Sequence, residues 1–198
     1  MLNIYYGHIG LVKDPMVFDT WFEKMNQQRK KKILQCQHAE DKQRSLLAGI
    51  LLQHGLEQTQ FSGQSFFSIT HSGDYAMCVI SDRRVGVDIE NRFRNIFSEH
   101  GNEKMDKVAK KCLTEGELQE YVSAEEEKKA DVLLSYWTKK ESYSKALGKG
   151  LALNFATIDT QELNAFYWSD WVKEGYFCSL YVEDGAFCDK TLQEIVEI

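Results

Sequence analysis

Proline is nearly missing from this 198-residue chain, with one example at Pro15, and no low-complexity tract occurs. A proline-rich or low-complexity spacer is therefore excluded. No run of about eighteen apolar residues is present, which argues against a membrane span. The opening Met1-Leu2-Asn3-Ile4-Tyr5-Tyr6-Gly7 lacks the basic start and apolar stretch of a signal peptide and reads as a strand. Cysteine is sparse: Cys36, Cys78, Cys112, Cys178 and Cys188 are scattered, odd in number and without CxxC or Cys/His spacing. Reduced thiols of a cytoplasmic protein are expected, and a zinc site is not. Basic residues are outnumbered, 24 against 30 acidic, for a net charge of -6. That balance excludes the broad basic surface of a nucleic-acid binder.

What is present is enough apolar material, 43% of residues, for one large domain or two small ones. Charge is uneven, with a basic block at Arg29-Lys30-Lys31-Lys32 and an acidic one at Glu125-Glu126-Glu127. The basic block is either a solvated helix face or a patch for a small anionic ligand or acidic partner.

Apolar spacing predicts a strand over residues 3–6 and a helix over about 18–35, where Phe18, Trp21, Phe22 and Met25 recur at helical intervals. A second helix is expected over about 39–54, stopped by Gly55. Short strands follow at 65–70, 75–81 and 85–90, as a meander. Residues 91–102 are polar and irregular, the expected linker between halves at 1–92 and 93–198. The second half predicts a helix over 104–112, a short helix begun by the capping-box spacing of Thr114 and Glu117, and a long helix over 130–147 ended by Gly148 and Gly150. Strands are expected at 153–159, 165–172, 176–183 and 192–198. Each half is helix-rich first and strand-rich later, so the fold class is α/β (α+β) with two similar halves.

Chemistry concentrates in two segments. In Val85-Gly86-Val87-Asp88-Ile89-Glu90, strand alternation puts Asp88 and Glu90 on one face. Such a pair is either an ordinary solvated acid pair or an oxygen-donor site suited to Mg²⁺. In the long helix, Trp137, Glu141 and Lys145 share a face. Glu141 and Lys145 form either a surface i, i+4 pair worth about 0.2–0.5 kcal/mol or a carboxylate beside a buried indole that needs a cation. Three carboxylates with a lysine suit a divalent cation holding a phosphorylated substrate. His71, in the turn before Ser72-Gly73, is a surface histidine or a phosphate contact. Arg44, at the edge of an apolar stripe, either snorkels or aims its planar fork at a phosphate.

Together these residues resemble the 4'-phosphopantetheinyl transferases. The signature G-[VI]-D-[IV]-E is met by Gly86–Glu90, and W-x-x-K-E-[SA]-x-x-K-x-x-G-x-G-L by Trp137, Lys140, Glu141, Ser142, Lys145, Gly148, Gly150 and Leu151. The S-H-S-G element is represented by Thr70-His71-Ser72-Gly73, and the preceding basic segment and arginine by Arg29, Lys32 and Arg44-Ser45. The resemblance spans residues 25–160 or so, and the length matches the two-domain type that activates surfactin synthetase. It implies two α/β halves packed as a pseudo-dimer in a monomeric chain. It also implies transfer of 4'-phosphopantetheine from coenzyme A to a serine of an apo acyl or peptidyl carrier protein of fatty-acid, polyketide or peptide biosynthesis, releasing adenosine 3',5'-bisphosphate. Asp88, Glu90 and Glu141 are then expected to hold Mg²⁺ (or Mn²⁺). Glu141 and Lys145 are expected to be catalytic, and Arg29, Lys32, Arg44, Thr70, His71 and Lys145 to bind coenzyme A. No nucleic acid or membrane partner is implied.

One family element is missing. The Gly-Lys-Pro segment that normally precedes S-H-S-G has no counterpart in the short interval 53–67, which contains neither lysine nor proline, and Thr70 replaces the usual serine. The alternative expectation is a divergent chain that binds coenzyme A or a carrier protein without transfer.

Overall fold

Apolar side chains at nearly every position of 75–81, and a Val-Gly-Val-Asp-Ile run at 85–89, each build the inside of a separate sheet. The computed structural model describes residues 2–59, 64–92, 101–163, 166–168, 175–185 and 190–198. In chain order the first elements are β1 (Leu2–His8), α1 (Pro15–Lys24), α2 (Gln27–Gln35), α3 (Ala39–Gln58), β2 (Phe66–Ser72), β3 (Tyr75–Ser81) and β4 (Val85–Asn91). There follow α4 (Gly101–Cys112), α5 (Glu115–Ser123), α6 (Glu126–Ala146), β5 (Phe166–Trp168), β6 (Tyr176–Val182) and β7 (Lys190–Glu194). The fold is mixed α/β, as expected. The chain divides into two units, Met1–Arg83 with Cys188–Ile198, and Arg84–Phe187.

The first unit is a four-stranded sheet in the order β2-β3-β1-β7, antiparallel except for the parallel β1–β7 pair. Helix α3 packs on it through Leu46, Leu47, Ile50 and Leu51, all at most 2% exposed, over Tyr5, Cys78 and Ile80. The single proline opens α1 directly after Asp14, whose carboxylate accepts from Met16 N and Val17 N. That is the helix position where a missing N–H is harmless.

The second unit is a three-stranded antiparallel sheet in the order β4-β6-β5, with α6 against β4 and β6. A satellite core of Met105, Ala109, Leu113, Tyr121, Leu133 and Tyr136 joins α4, α5 and α6. The predicted capping box is present: Glu117 N–H donates to Thr114 Oγ1 at 3.4 Å, and Thr114 N–H to Glu117 Oε2 at 2.9 Å.

Several expectations differ from the structure. The helix over 18–35 is two helices, because Asn26 caps α2 by accepting from Arg29 N. Gly55 does not stop α3; it is buried where a Cβ would lie 2.6 Å from Ile80 Cδ1 and 2.8 Å from Tyr5 Cε2. This glycine serves close helix-to-sheet packing. The strand over 153–159 is instead a 3-10 turn at Phe155–Thr157, capped by Asn154 accepting from Ala156 N and preceded by another at Gly150–Ala152. The helix over 130–147 starts a turn earlier, at Glu126. Most of the linker, 93–100, and part of the 165–172 strand lie outside the described residues. Strand β4 pairs with β6, and β7 returns to β1.

Candidate functional site

Gly86 explains how the acidic strand and the long helix meet. A Cβ built on it would stand 1.8 Å from Ser142 O and 2.7 Å from Ala146 N, so the backbone of α6 rests directly on β4 there. Small side chains continue the close approach: Thr138 and Ser142 are 1% and 0% exposed. Thr138 Oγ1 lies 2.8 Å from Ser179 Oγ on β6. Because strand side chains alternate, Gly86, Asp88 and Glu90 share the face that meets α6. The helix ends at Gly148, whose φ of +67° lets Lys149 N–H reach Ser144 O at 3.1 Å. Open space surrounds that glycine, so Gly148→Ala is expected to cost only the left-handed backbone penalty, about 1–2 kcal/mol. Urea unfolding of the variant checks this.

Asp88 is 5% exposed and takes a charge-assisted hydrogen bond from Lys145 Nζ at 2.6 Å; the same ammonium donates to Val87 O at 3.1 Å. Glu141, half-buried one helical turn before Lys145, has its carboxyl pushed up to about 7. Burial is the largest cause and the Asp88 charge adds to it; Lys145 opposes, and Glu90 adds a smaller repulsion. Asp88, Glu90, Glu141 and Lys145 thus form one interacting group on β4 and α6. Among the described residues no three His, Cys, Asp or Glu side chains are gathered into a ready-made ligand set.

The neighbour of Glu141 has a different place. Lys140 is 0% exposed and its ammonium donates to Cys112 O at 2.8 Å, Glu117 Oε2 at 2.5 Å and Phe155 O at 2.9 Å. Glu117, 3% exposed, also accepts from Thr160 Oγ1 at 3.2 Å. Sequence reading placed Lys140 only as a match to a signature. The one available signal was the capping-box glutamate, whose second partner no spacing rule reveals. Trp137, half-buried, lies edge-on to Phe155 with ring centroids 5.7 Å apart.

The remaining residues singled out belong to the first unit. Thr70 is buried and His71 exposed, as alternation along β2 requires. Arg44 Nη1 donates to Gly73 O at 2.6 Å, and Nη2 to Asp41 at 2.7 Å. The guanidinium therefore ties α3 to the turn after His71, and the nearby arginine holds the Asp41 carboxyl below the usual range. Arg29 and Lys32 border a cavity of about 650 Å³ with Lys24, Asn26, Leu56 and Phe67. The methylenes of Arg29 lie against Gly49 of α3.

Comparison with known proteins bears on this arrangement. The family model of the 4'-phosphopantetheinyl transferase superfamily matches residues 84–190, the span that carries β4 and α6. The chain is 27% identical over 146 residues to 4'-phosphopantetheinyl transferase Sfp of Bacillus subtilis (strain 168), covering 64% of this chain and 61% of that protein. It is 26% identical over 210 residues to 4'-phosphopantetheinyl transferase gsp of Aneurinibacillus migulanus, covering 90% of this chain and 85% of that protein. A further relative, the L-aminoadipate-semialdehyde dehydrogenase-phosphopantetheinyl transferase of Xenopus laevis, is 30% identical over 109 residues, covering 51% of this chain and 35% of that protein. With the model covering more than half its length and both acidic segments inside the matched span, the chain belongs to the 4'-phosphopantetheinyl transferase superfamily.

Proposed function

We propose that this chain transfers the 4'-phosphopantetheine group of coenzyme A to a serine of an apo acyl or peptidyl carrier protein. The observation that carries the reading is geometric: Glu141 of α6 is grouped with Asp88 and Glu90 of β4 and with Lys145, within the span matched by the family model. A carboxylate at that place is within the reach of a general base for a hydroxyl bound against the group. In the reaction the serine oxygen forms a bond to the phosphorus that bears pantetheine, and its proton goes to Glu141, directly or through water. The bridging phosphorus–oxygen bond breaks, and adenosine 3',5'-bisphosphate leaves with the electron pair. Lys145 offers positive charge where negative charge gathers.

The donor set also fits a divalent cation. Asp88, Glu90 and Glu141 would offer only oxygen donors, and the Asp88 and Glu90 charges, which add to burial in raising Glu141, are what a bound cation would relieve. Bound there, Mg²⁺ or Mn²⁺ supplies charge stabilisation for the pyrophosphate oxygens. For the nucleotide end, the cavity beside Arg29 and Lys32 offers two cations next to the exposed Phe67. His71 and Thr70, at the end of β2 just before the turn that Arg44 holds, would supply further phosphate contacts.

The test is incubation of purified protein with Mg²⁺, coenzyme A and a panel of apo carrier proteins, read by mass spectrometry. A carrier heavier by one phosphopantetheine is expected, along with no product from Asp88→Ala. A folded protein that binds coenzyme A yet modifies no carrier overturns the transferase reading in favour of a binding module.

A further inference from the structure

Among the contacts that hold α6, two differ in kind. At Gly86 the contact is backbone against backbone. It limits how closely helix and strand approach, but it is non-directional and resists sliding along the helix axis only weakly. At Lys140 the hold is directional. All three ammonium protons are used, each on a different element: the last residue of α4, the third residue of α5, and the 3-10 turn at Phe155. Glu117 is fixed in turn, since its Oε2 also accepts from Thr114 N and its Oε1 from Thr160 Oγ1. Two other ion pairs reach α6 from another element: Arg92 with Asp131 at 2.9 Å, more than a third exposed on both sides and constraining little, and Lys145 with Asp88 at 2.6 Å, which ties the last turn of the helix to β4.

We propose that Lys140 and Glu117 are a positioning pair for Glu141. They set the axial place and rotation of α6 over β4, and so the distance from Glu141 to Asp88 on that strand. The inference rests on the transferase reading above. Its physical basis is that neighbouring helix residues point about 100° apart and rise about 1.5 Å. A slip of α6 by one residue along its axis therefore carries Glu141 about that far from β4's acidic face. Misplacement of about 1 Å costs roughly 10²-fold in rate.

A role in packing alone predicts something different. Buried ion pairs can be exchanged for apolar residues of similar volume with little loss of stability. The double variant Glu117→Leu/Lys140→Met leaves no unpaired buried charge but strips partners from Cys112 O, Phe155 O and Thr114 N–H, so its Tm is expected to fall; measured well below that Tm, kcat is expected to fall roughly 10–100-fold while KM for coenzyme A stays within about twofold. Parent-like kcat in the folded double variant overturns the proposal. A fall in Tm and kcat together that Lys140→Arg restores in Tm alone supports it, because the longer fork keeps the charge but not the place.

A second arm does not depend on turnover or on the double variant folding. Glu117→Gln keeps the size of the side chain while weakening the lysine contact. Hydrogen exchange of amides 137–146 is expected to accelerate about tenfold, with the amides of β6 unchanged. Equal protection over 137–146 overturns the proposal. A parent protein without transferase activity defeats the functional reading and leaves this arm standing.

Discussion

Glu141→Gln is expected to lower carrier modification by about 10³-fold or more while leaving the protein folded. The substitution keeps the shape of the side chain but removes both its capacity to accept a proton and its charge. General base catalysis alone contributes about 10²–10⁴-fold, and loss of one carboxylate from a cation's oxygen donors adds to this. The same variant carries a stability signature in metal-free buffer. The Glu141 carboxyl is raised from its ordinary 4.5 to about 7, chiefly by burial and the Asp88 charge. A raised value means that the folded state binds the proton more tightly than the unfolded chain does. The group's contribution is therefore present in full below about pH 4.5 and lost as pH rises through about 7. Parent and variant should have their closest Tm values near pH 4.5, with the variant gaining relative to the parent up to pH 8. Thermal melts in chelator across that range check the sign, and mass spectrometry checks the transfer. Undiminished transfer by the glutamine variant excludes Glu141 as the base.

Gly86→Ala is expected to be the most damaging single methyl group in the second unit. The new carbon meets Ser142 O at 1.8 Å and Ala146 N at 2.7 Å, both main-chain atoms that no rotamer change can move aside. Overpacking ordinarily costs about 1–3 kcal/mol; against a helix backbone the upper end or more is expected, visible as a lower urea midpoint. The fraction that still folds must lift α6 off β4, separating Glu141 from Asp88, so its transfer activity should fall even where the protein is native. Gly116→Ala in α5 is the matched control. A Cβ there meets nothing within 4 Å, and a solvent-exposed helical alanine is more favourable than glycine by roughly 0.8–1 kcal/mol. Equal midpoints for the two variants would show that α6 does not rest on β4 at Gly86.

Legibility in the sequence followed the range of the interaction. Alternation along 85–90 placed Asp88 and Glu90 on one face because neighbouring side chains set that geometry. The Thr114–Glu117 box is equally local and is present in the structure. Asn26 carried a local signal too, a capping residue three before Arg29, but the apolar recurrence across 18–35 outweighed it and hid the break. Gly55 was misread because a glycine late in a helical pattern signals a stop or a close contact alike, and only the positions of Tyr5 and Ile80 decide between them. The stretch at 153–159 has apolar residues at strand spacing, but Asn154 caps a tight turn instead. Lys140 was the least legible residue of all. A lysine on a long helix belongs by default in water, and its three acceptors come from positions 112, 117 and 155. Nothing within a few residues of Lys140 announces them.

The parallel pairing of β7 with β1 has a consequence for the order in which the protein can be made. Residues 84–187 form one unbroken unit, whereas the first unit needs both Met1–Arg83 and Cys188–Ile198. On a ribosome, domains generally fold from the N-terminus onward as they emerge. Here the earlier-synthesised unit must wait with the β1 edge bare until the strand at Lys190–Glu194 appears. The later unit, bearing Asp88 and Glu141, has its whole sequence in hand first. A chain truncated at residue 187 and free of the ribosome should therefore hold a protease-resistant unit over 84–187 attached to an N-terminal part whose sheet is still open, an exposed edge that invites intermolecular pairing until β7 covers it.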